Sequence, residues 1–334
     1  MNKPKDEPGL QTILSHCGRN LEASGGYVNV PPYEGSTILH DDMEDLFGRV
    51  DNHLYGDGTA QTYGTDGGPT HEAFYDAMNK LEGGAGTWAF STGLAGCTIP
   101  MMAFLKTGDH MLVTDSVYGP TRQFCEVLLK NFGVEAEFYE PTIGAGIEKL
   151  IRPNTRLIYM ESPGTHTFEM QDVPAIAAVA RKYNIVTMID NTYATPLNFQ
   201  PLKHGVDVVV HSATKYICGH SDVLMSTVTC NEKNWKQVRD VCKMTGQYAS
   251  AQSVYLGLRG LRTLKVRLDA VGVHTRKVVD WLLKREEVKK VIWPAYEKDP
   301  GYRIYKRDYS GPIGLFAFQF QDQYTDVQIN RFMD

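Results

Sequence analysis

The sequence predicts an α/β protein: a mainly parallel sheet with helices on both faces, followed by a smaller α+β domain. Three observations carry this expectation. From Thr70 onward, short apolar strands alternate with helical segments through short connections, the pattern of repeated crossover units. Val208, Val209 and Val210 form an unbroken β-branched run, as a strand covered on both faces requires. Asp190, Ser212, Thr214 and Lys215 fall just past strand ends, where open sheets of this kind place their ligands.

At 334 residues the chain can bury a large core and should hold more than one domain or subdomain. Hydrophobic residues at 42% and charged residues at 22% are ordinary for a soluble globular protein. A formal net charge of -5 gives no electrostatic reason to expect nucleic acid or an anionic membrane as partner. No apolar run approaches the roughly 20 residues that span a bilayer. The opening MNKPKDEPGLQTILSHCGRN lacks a long apolar core and a small-residue cleavage site, so a signal peptide is not expected. Cys17, Cys97, Cys125, Cys218, Cys230 and Cys242 include no CxxC pair, which suits free thiols in a reducing cytoplasm.

Residues 1–60 read as an irregular, polar N-terminal arm with one short helical signal at Asp41–Leu46. With little core of its own, such an arm should lie on something larger, for example a second subunit. A Gly-, Thr- and Asp-rich loop around Tyr63 follows and opens the large domain, 61–250. There the expected order is a helix ending at Gly83-Gly84, a strand Thr87–Phe90, a turn Ser91–Gly96 and an apolar helix Cys97–Leu105. Next come a strand His110–Thr114, a turn Ser116–Pro120, a helix to about Asn131 and a strand Arg156–Met160. A helix Val173–Tyr183 opened by Pro174 leads to the strand Ile185–Ile189, which ends at Asp190. After Gln252 the periodicity becomes helical as far as Arg285, giving one or two amphipathic helices. Strands at Val288–Ile292 and Gly314–Gln321 complete the small domain, 251–334, which reads as incomplete because the chain stops soon after.

Lys215 is either a surface lysine at a strand-to-helix junction or a cofactor lysine. A lysine delivered by a buried strand, with two hydroxyls beside it, fits a Schiff base to pyridoxal phosphate (PLP). Asp190 is either a turn or cap residue, or the buried carboxylate that keeps the pyridine nitrogen protonated. Ser91-Thr92-Gly93-Leu94 is a tight turn or a phosphate rest at a helix start, where Gly93 lets the backbone approach. Ser212 and Thr214 cap the next helix or donate to the phosphate. Tyr118 is a half-buried turn aromatic or a ring-stacking one. No GxxxxGK[ST], and no GxGxxG after a strand, argues for a nucleotide. His211, His220 and Asp222 match no zinc spacing, and no metal is expected there.

These residues lie in segments that resemble the Cys/Met-metabolism PLP-dependent enzymes. SATKYICGHSD at 212–222 is similar to that family's PLP-lysine signature. The resemblance extends over YGTDGGPTHEAF (63–74), LEGGAGTWAFSTGLAG (81–96), GDHMLVTDSVYGPT (108–121), ESPGTHTFEMQDV (161–173) and RGLRTLKVRL (259–268). YKRDYSGPIGLFAF at 305–318 resembles the β-lyase branch more than the γ-lyases or γ-synthases. It implies the aspartate-aminotransferase-like fold (fold type I) and β-elimination on a cysteine thioether, L-cystathionine foremost. The alternatives are γ-elimination or γ-replacement on the same fold, methionine γ-lyase activity among them, or a truncated, non-catalytic homologue.

Carried over, the resemblance makes Lys215 the Schiff-base lysine and proton shuttle, pairs Asp190 with the ring nitrogen and stacks Tyr118 on the ring. Gly93 and Leu94 amides with the Ser212 and Thr214 hydroxyls would bind the phosphate. Tyr63 would reach a neighbouring subunit's site in a homotetramer of two catalytic dimers. Two departures stand out. Thr65 occupies the place of an arginine that clamps the phosphate across the dimer, a contact of about 1.5–3 kcal/mol. The arginine that binds the substrate carboxylate has no counterpart in this sequence.

Overall fold

Residues 9–56 and 58–334 are described by the computed structural model, so the sequence reading of residues 1–8 and 57 lies outside the described residues. The main sheet holds β1 (Gly86–Phe90), β2 (His110–Thr114), β3 (Glu135–Tyr139), β4 (Thr155–Glu161), β5 (Val186–Asp190), β6 (Val208–His211) and β7 (Ser226–Cys230). Their order across the sheet is β1-β7-β6-β5-β4-β2-β3. β2, β3, β4, β5 and β6 pair in parallel, while β7 runs antiparallel to both β6 and β1. Two antiparallel steps return β1 to the direction of β6. The C-terminal ends of β1, β2, β4, β5 and β6 therefore share one edge.

Both faces of this sheet are covered, and the alternation of side chains sorts one run of apolar residues into two cores. Met111, Val113, Leu157, Tyr159, Met188, Val208 and Val210 face one way, beneath Val238 and Cys242 of the helix Glu232–Met244. Leu112, Ile158, Met160, Ile189 and Val209 face the other, beneath Ile176, Ala177 and Ala180 of the helix Val173–Lys182. A third core joins the helix Pro69–Glu82 to the helices Ala251–Leu261 and Leu264–Leu282. Beyond them, β8 (Val288–Ile292) and β9 (Ala317–Phe320) form a separate antiparallel pair around buried Trp293. The six cysteines are free and buried.

Several elements differ from the sequence reading. β3 was not expected: its EAEFY sequence is polar and half exposed, as an edge strand can be. β7 was not expected either, because Ser, Thr and Cys interrupt its single valine. Two hydroxyls of this buried strand have partners within the sheet and its loops: Thr229 Oγ1 lies 2.8 Å from Thr87 Oγ1, and Ser226 Oγ donates to the Thr92 carbonyl at 2.7 Å. The helix Glu232–Met244 was also missed, although Asn231 caps it and Trp235, Val238 and Cys242 share a face. The apolar helix read over Cys97–Leu105 begins earlier, at Gly93, and tightens into a 3₁₀ turn over Ile99–Ala103 where Pro100 interrupts it.

The N-terminal segment is less irregular than expected. A helix Leu10–His16 packs Leu14 into the core of the same chain, with Cys17 and Val30. Arg262 fixes its end by donating to the Leu14 and Cys17 carbonyls at 2.9 and 2.7 Å. The helical signal at Asp41–Leu46 becomes a full helix, Met43–Tyr55, capped by Asp42. That helix buries no side chain, although Met43, Leu46, Phe47, Val50 and Leu54 line one face of it. No helix among the described residues is long and apolar enough to cross a membrane.

Candidate active site

The shared edge of the sheet gathers most of the residues singled out from the sequence. β1 ends at Phe90 and a tight turn leads into the helix Gly93–Thr98. Thr92 caps that helix by accepting from Ala95 N–H at 3.2 Å, so the Gly93 and Leu94 N–H groups stay at its open end. Gly93 packs close to the turn after β6: a Cβ there would sit 2.6 Å from the Ser212 hydroxyl, which would have to rotate away. Phosphate-loop and lysine-turn candidates therefore meet, as the sequence reading required.

Asp190 ends β5 with its side chain buried. Its Oδ1 accepts from Thr192 N–H at 2.9 Å, and Thr192 Oγ1 in turn accepts from Ser212 N–H at 2.8 Å. This short chain ties the end of β5 to the turn that carries Lys215. On its other side, the Cys97 thiol donates to Asp190 Oδ2 at 3.5 Å. Burial, then the Asp190 charge, push that thiol well up, so it stays protonated and remains a donor. The carboxylate keeps acceptor capacity beyond these two contacts, which suits a protonated ring nitrogen above it.

Lys215 stands on the first turn beyond β6, where its N–H donates to the Ser212 carbonyl at 3.0 Å and Gly219 N–H donates to its carbonyl at 2.8 Å. Ala213, Ile217 and Cys218 of this turn are buried, whereas the Lys215 side chain is exposed. The turn thus points the Lys215 side chain out of the core. Thr214 differs from expectation. Its hydroxyl donates to the Met225 carbonyl at 3.2 Å and accepts from Met225 N–H at 3.0 Å, so it faces the start of β7 rather than the open edge.

Glu161 is the site residue that sequence reasoning missed. It ends β4 directly beside Asp190 and is buried. Its Oε2 accepts from Tyr118 N–H at 2.8 Å, and its Oε1 accepts from the Thr165 hydroxyl. Burial, and after it the Asp190 charge, push the Glu161 carboxyl up to about 8. The available signal was its position: like Asp190, it is an acidic residue at the C-terminal end of a buried strand. Tyr118, tethered by Glu161, is half exposed above the same edge.

Tyr63 is not brought to this edge. It lies half exposed on a cavity of about 190 Å³ whose lining also includes His53, Thr65, Asp66 and Lys243. Lys243 Nζ donates to the Gly58 carbonyl at 3.0 Å and stands 3.9 Å from Asp66 Oδ1. Burial lowers the Lys243 pKa, and Asp66 partly opposes this. His211, His220 and Asp222 do not converge: His211 pairs with buried Glu82, and His220 Nδ1 lies 2.8 Å from the Cys218 carbonyl.

Comparison with known proteins bears on the family and the fold. Residues 11–334 match the family described as Cys/Met metabolism PLP-dependent enzyme. The cystathionine β-lyase of Haemophilus influenzae is 39% identical, over 97% of this chain and 82% of that protein. The cystathionine β-lyase MetC of Escherichia coli K12 is 37% identical, again over 97% of this chain and 82% of that one. A solved cystathionine γ-lyase of Lactobacillus plantarum, complexed with L-serine, superposes with a TM-score of 0.87 at 29% identity, covering 94% of this chain and 79% of that one. The fold expected from the resemblance is the observed one, and a buried Asp190, a Gly93–Ser212 cradle and a lysine on one sheet edge fit the family's cofactor. The chain belongs to the Cys/Met metabolism PLP-dependent enzymes, and pyridoxal phosphate is its cofactor.

Proposed function

We propose that the chain is a carbon–sulfur lyase that carries out β-elimination on a cysteine thioether, L-cystathionine foremost, releasing homocysteine, pyruvate and ammonia. The observation that carries this reading is the chain from Asp190 through Thr192 to Ser212, which places an acceptor carboxylate next to the lysine-bearing turn. Similarity to two cystathionine β-lyases at 37–39% identity supports the choice of substrate.

In this reading Asp190 holds a proton on the ring nitrogen, and Tyr118 covers one face of the ring. Gly93 and Leu94 N–H groups and the Ser212 hydroxyl hold the phosphate; Thr214 joins them only by releasing the Met225 carbonyl. Bound pyridoxal phosphate supplies an electron sink for the pair left on the substrate Cα. Lys215 Nζ takes the Cα proton and delivers it to the departing sulfur as the Cβ–S bond breaks. Water then completes the release of pyruvate and ammonia. An exposed Lys215 needs cover to exclude bulk water during this step, and a second copy of the chain is the natural source.

We infer a homotetramer of two catalytic dimers, with Tyr63 serving the neighbouring site. The unburied apolar face of the helix Met43–Tyr55, a few residues before Tyr63, supports this reading. A reducing cytoplasm suits six free, buried cysteines.

The assay is turnover of L-cystathionine with both possible keto acids measured. Pyruvate is expected; 2-oxobutyrate would instead support γ-elimination, the reading favoured by the similarity to the γ-lyase structure. Borohydride reduction of the holoenzyme followed by peptide mapping should label Lys215, and a label on another lysine would overturn its assignment.

A further inference from the structure

Arg267 lies on the helix Leu264–Leu282, yet two of its hydrogen bonds go to the turn that carries Lys215. Nη1 donates to the Tyr216 carbonyl at 2.6 Å and Nη2 to the Ile217 carbonyl at 3.2 Å. Nη2 also donates to the Gly260 carbonyl at 2.9 Å, and Nε to Thr263 Oγ1 at 3.1 Å. These partners are neutral oxygens, so the guanidinium acts here as a rigid fork between two backbone segments. A half-buried arginine used this way gives up water without gaining a counter-charge, and burial lowers its pKa accordingly.

The backbones around it have no slack. Gly219 closes the Lys215 turn at φ +82, and a Cβ there would collide with the Arg267 guanidinium. Gly260, on the facing helix Ala251–Leu261, has no room for a Cβ because the Ile217 and Cys218 carbonyls occupy that space. The turn from Lys215 to Gly219 is thus pressed onto a helix at one glycine and pinned at two successive carbonyls. Lys215, whose own carbonyl accepts from Gly219 N–H, is the one exposed long side chain of that turn and rises from its pinned base.

We propose that Arg267 is a positioning residue for Lys215: by holding the Tyr216 and Ile217 carbonyls against the Gly260–Thr263 helix end, it sets where the Lys215 amine stands above the sheet edge. The inference rests on Lys215 being the reactive lysine. Arg267→Lys keeps the charge but loses the fork, since a single ammonium cannot span the Tyr216, Ile217 and Gly260 carbonyls together. Gly219→Ala displaces the guanidinium and also strains the turn, whose φ of +82 disfavours an L side chain, so it is read only beside Arg267→Lys.

Three readouts on the full chain test this. In the apo-protein, amide hydrogen exchange at Cys218 and Gly219 should speed up at least about tenfold in both variants, with the sheet core unchanged. Acylation of Lys215 by an amine-reactive reagent, followed by peptide mass spectrometry and normalised to exposed Lys130, should change rate in both variants. In the holoenzyme, kcat should fall about 10²-fold while KM moves less than about threefold, as expected for a displaced catalytic group. Folded variants with wild-type kcat and wild-type Lys215 acylation would overturn the proposal, as would exchange that rises in 251–263 but not in 215–219. If Arg267→Lys fails to fold, Arg267→Met, which keeps the apolar stem and removes the fork, decides by the same readouts. Failure of the underlying reading looks different, because the borohydride label would then sit on another lysine in the unaltered protein.

Discussion

The sheet edge that carries Asp190 is held from within the chain, whereas the helix Met43–Tyr55 buries none of its own side chains. At the edge the polar groups that frame the site are linked to one another: Asp190 with Thr192, Thr192 with Ser212, Glu161 with Tyr118 and Thr165. Along the helix, Met43, Phe47 and Leu54 stand exposed on one face, and Tyr63 opens onto a cavity of its own. Buried polar networks fix geometry because each unmet group would cost about 1–3 kcal/mol. An unburied apolar stripe fixes nothing until another surface covers it. In the proposed assembly, one half of the site is a property of the fold and the other half a property of subunit contact.

The largest expected effect tests the first half. Lys215→Ala should lower kcat/KM by about 10²–10⁴-fold, the range for a lost proton-transfer group. Because the side chain is exposed, the far-ultraviolet circular dichroism and melting of the apo-protein should stay as they are. A variant that melts earlier would mean that the lysine also supports the fold. Next comes the assembly half. Phe47→Asp places a charge in the middle of the apolar stripe and should weaken self-association by about 2–4 kcal/mol, the range for a central interface residue. Native mass measurement and turnover should fall together with dilution. A variant with undiminished mass and activity would detach this helix from the site altogether.

This division also explains how much could be read in advance. β2, β5 and β6 were legible because buried parallel strands are nearly pure apolar runs, and Asp190 and Lys215 because they interrupt or follow such runs. β7 was not, since its hydroxyl-rich sequence makes sense only when Thr87 and the Thr92 carbonyl are already beside it. Glu161 went unnoticed for a similar reason. An acid at a strand end gains meaning when the neighbouring strand brings Asp190 into register with it. Thr214, two residues from Ser212, seemed an equal phosphate donor by spacing alone, but β7 turns back and engages its hydroxyl through Met225. The apolar stripe of Met43–Tyr55 was obscured by its acidic start, which serves as the helix cap. Local periodicity survives in a sequence; pairings made by a returning strand do not.

Smaller effects probe the internal network itself. Glu161 keeps its proton in the folded chain up to about pH 8, while in the unfolded chain it loses it near pH 4.5. Between these values the folded state binds more protons, so this residue's contribution to stability is full below about pH 4.5 and is lost as the pH rises towards 8. Glu161→Gln should remove that slope. The apo-variant should match the parent near pH 4.5 and exceed it at pH 8.5 by about 1–3 kcal/mol in urea unfolding. A parent and variant with parallel pH profiles would show that Glu161 is not held protonated by its surroundings.

The smallest effect belongs to Cys97. Its thiol is a weak donor, and 3.5 Å is an ordinary distance for a contact through sulfur. Cys97→Val keeps a small apolar side chain in the same core and removes the thiol from both Asp190 and Tyr159. Stability should change by less than about 1.5 kcal/mol, as for other hydrophobic swaps of similar volume. Asp190 retains Thr192 N–H, so cofactor affinity, measured by fluorescence titration of the apo-protein with pyridoxal phosphate, should fall no more than about threefold. A drop of a hundredfold would mean that the thiol, and not the loop after β5, holds the carboxylate in place. The edge of the sheet would then depend on a single soft contact, and its contrast with the uncovered N-terminal helix would narrow to one hydrogen bond.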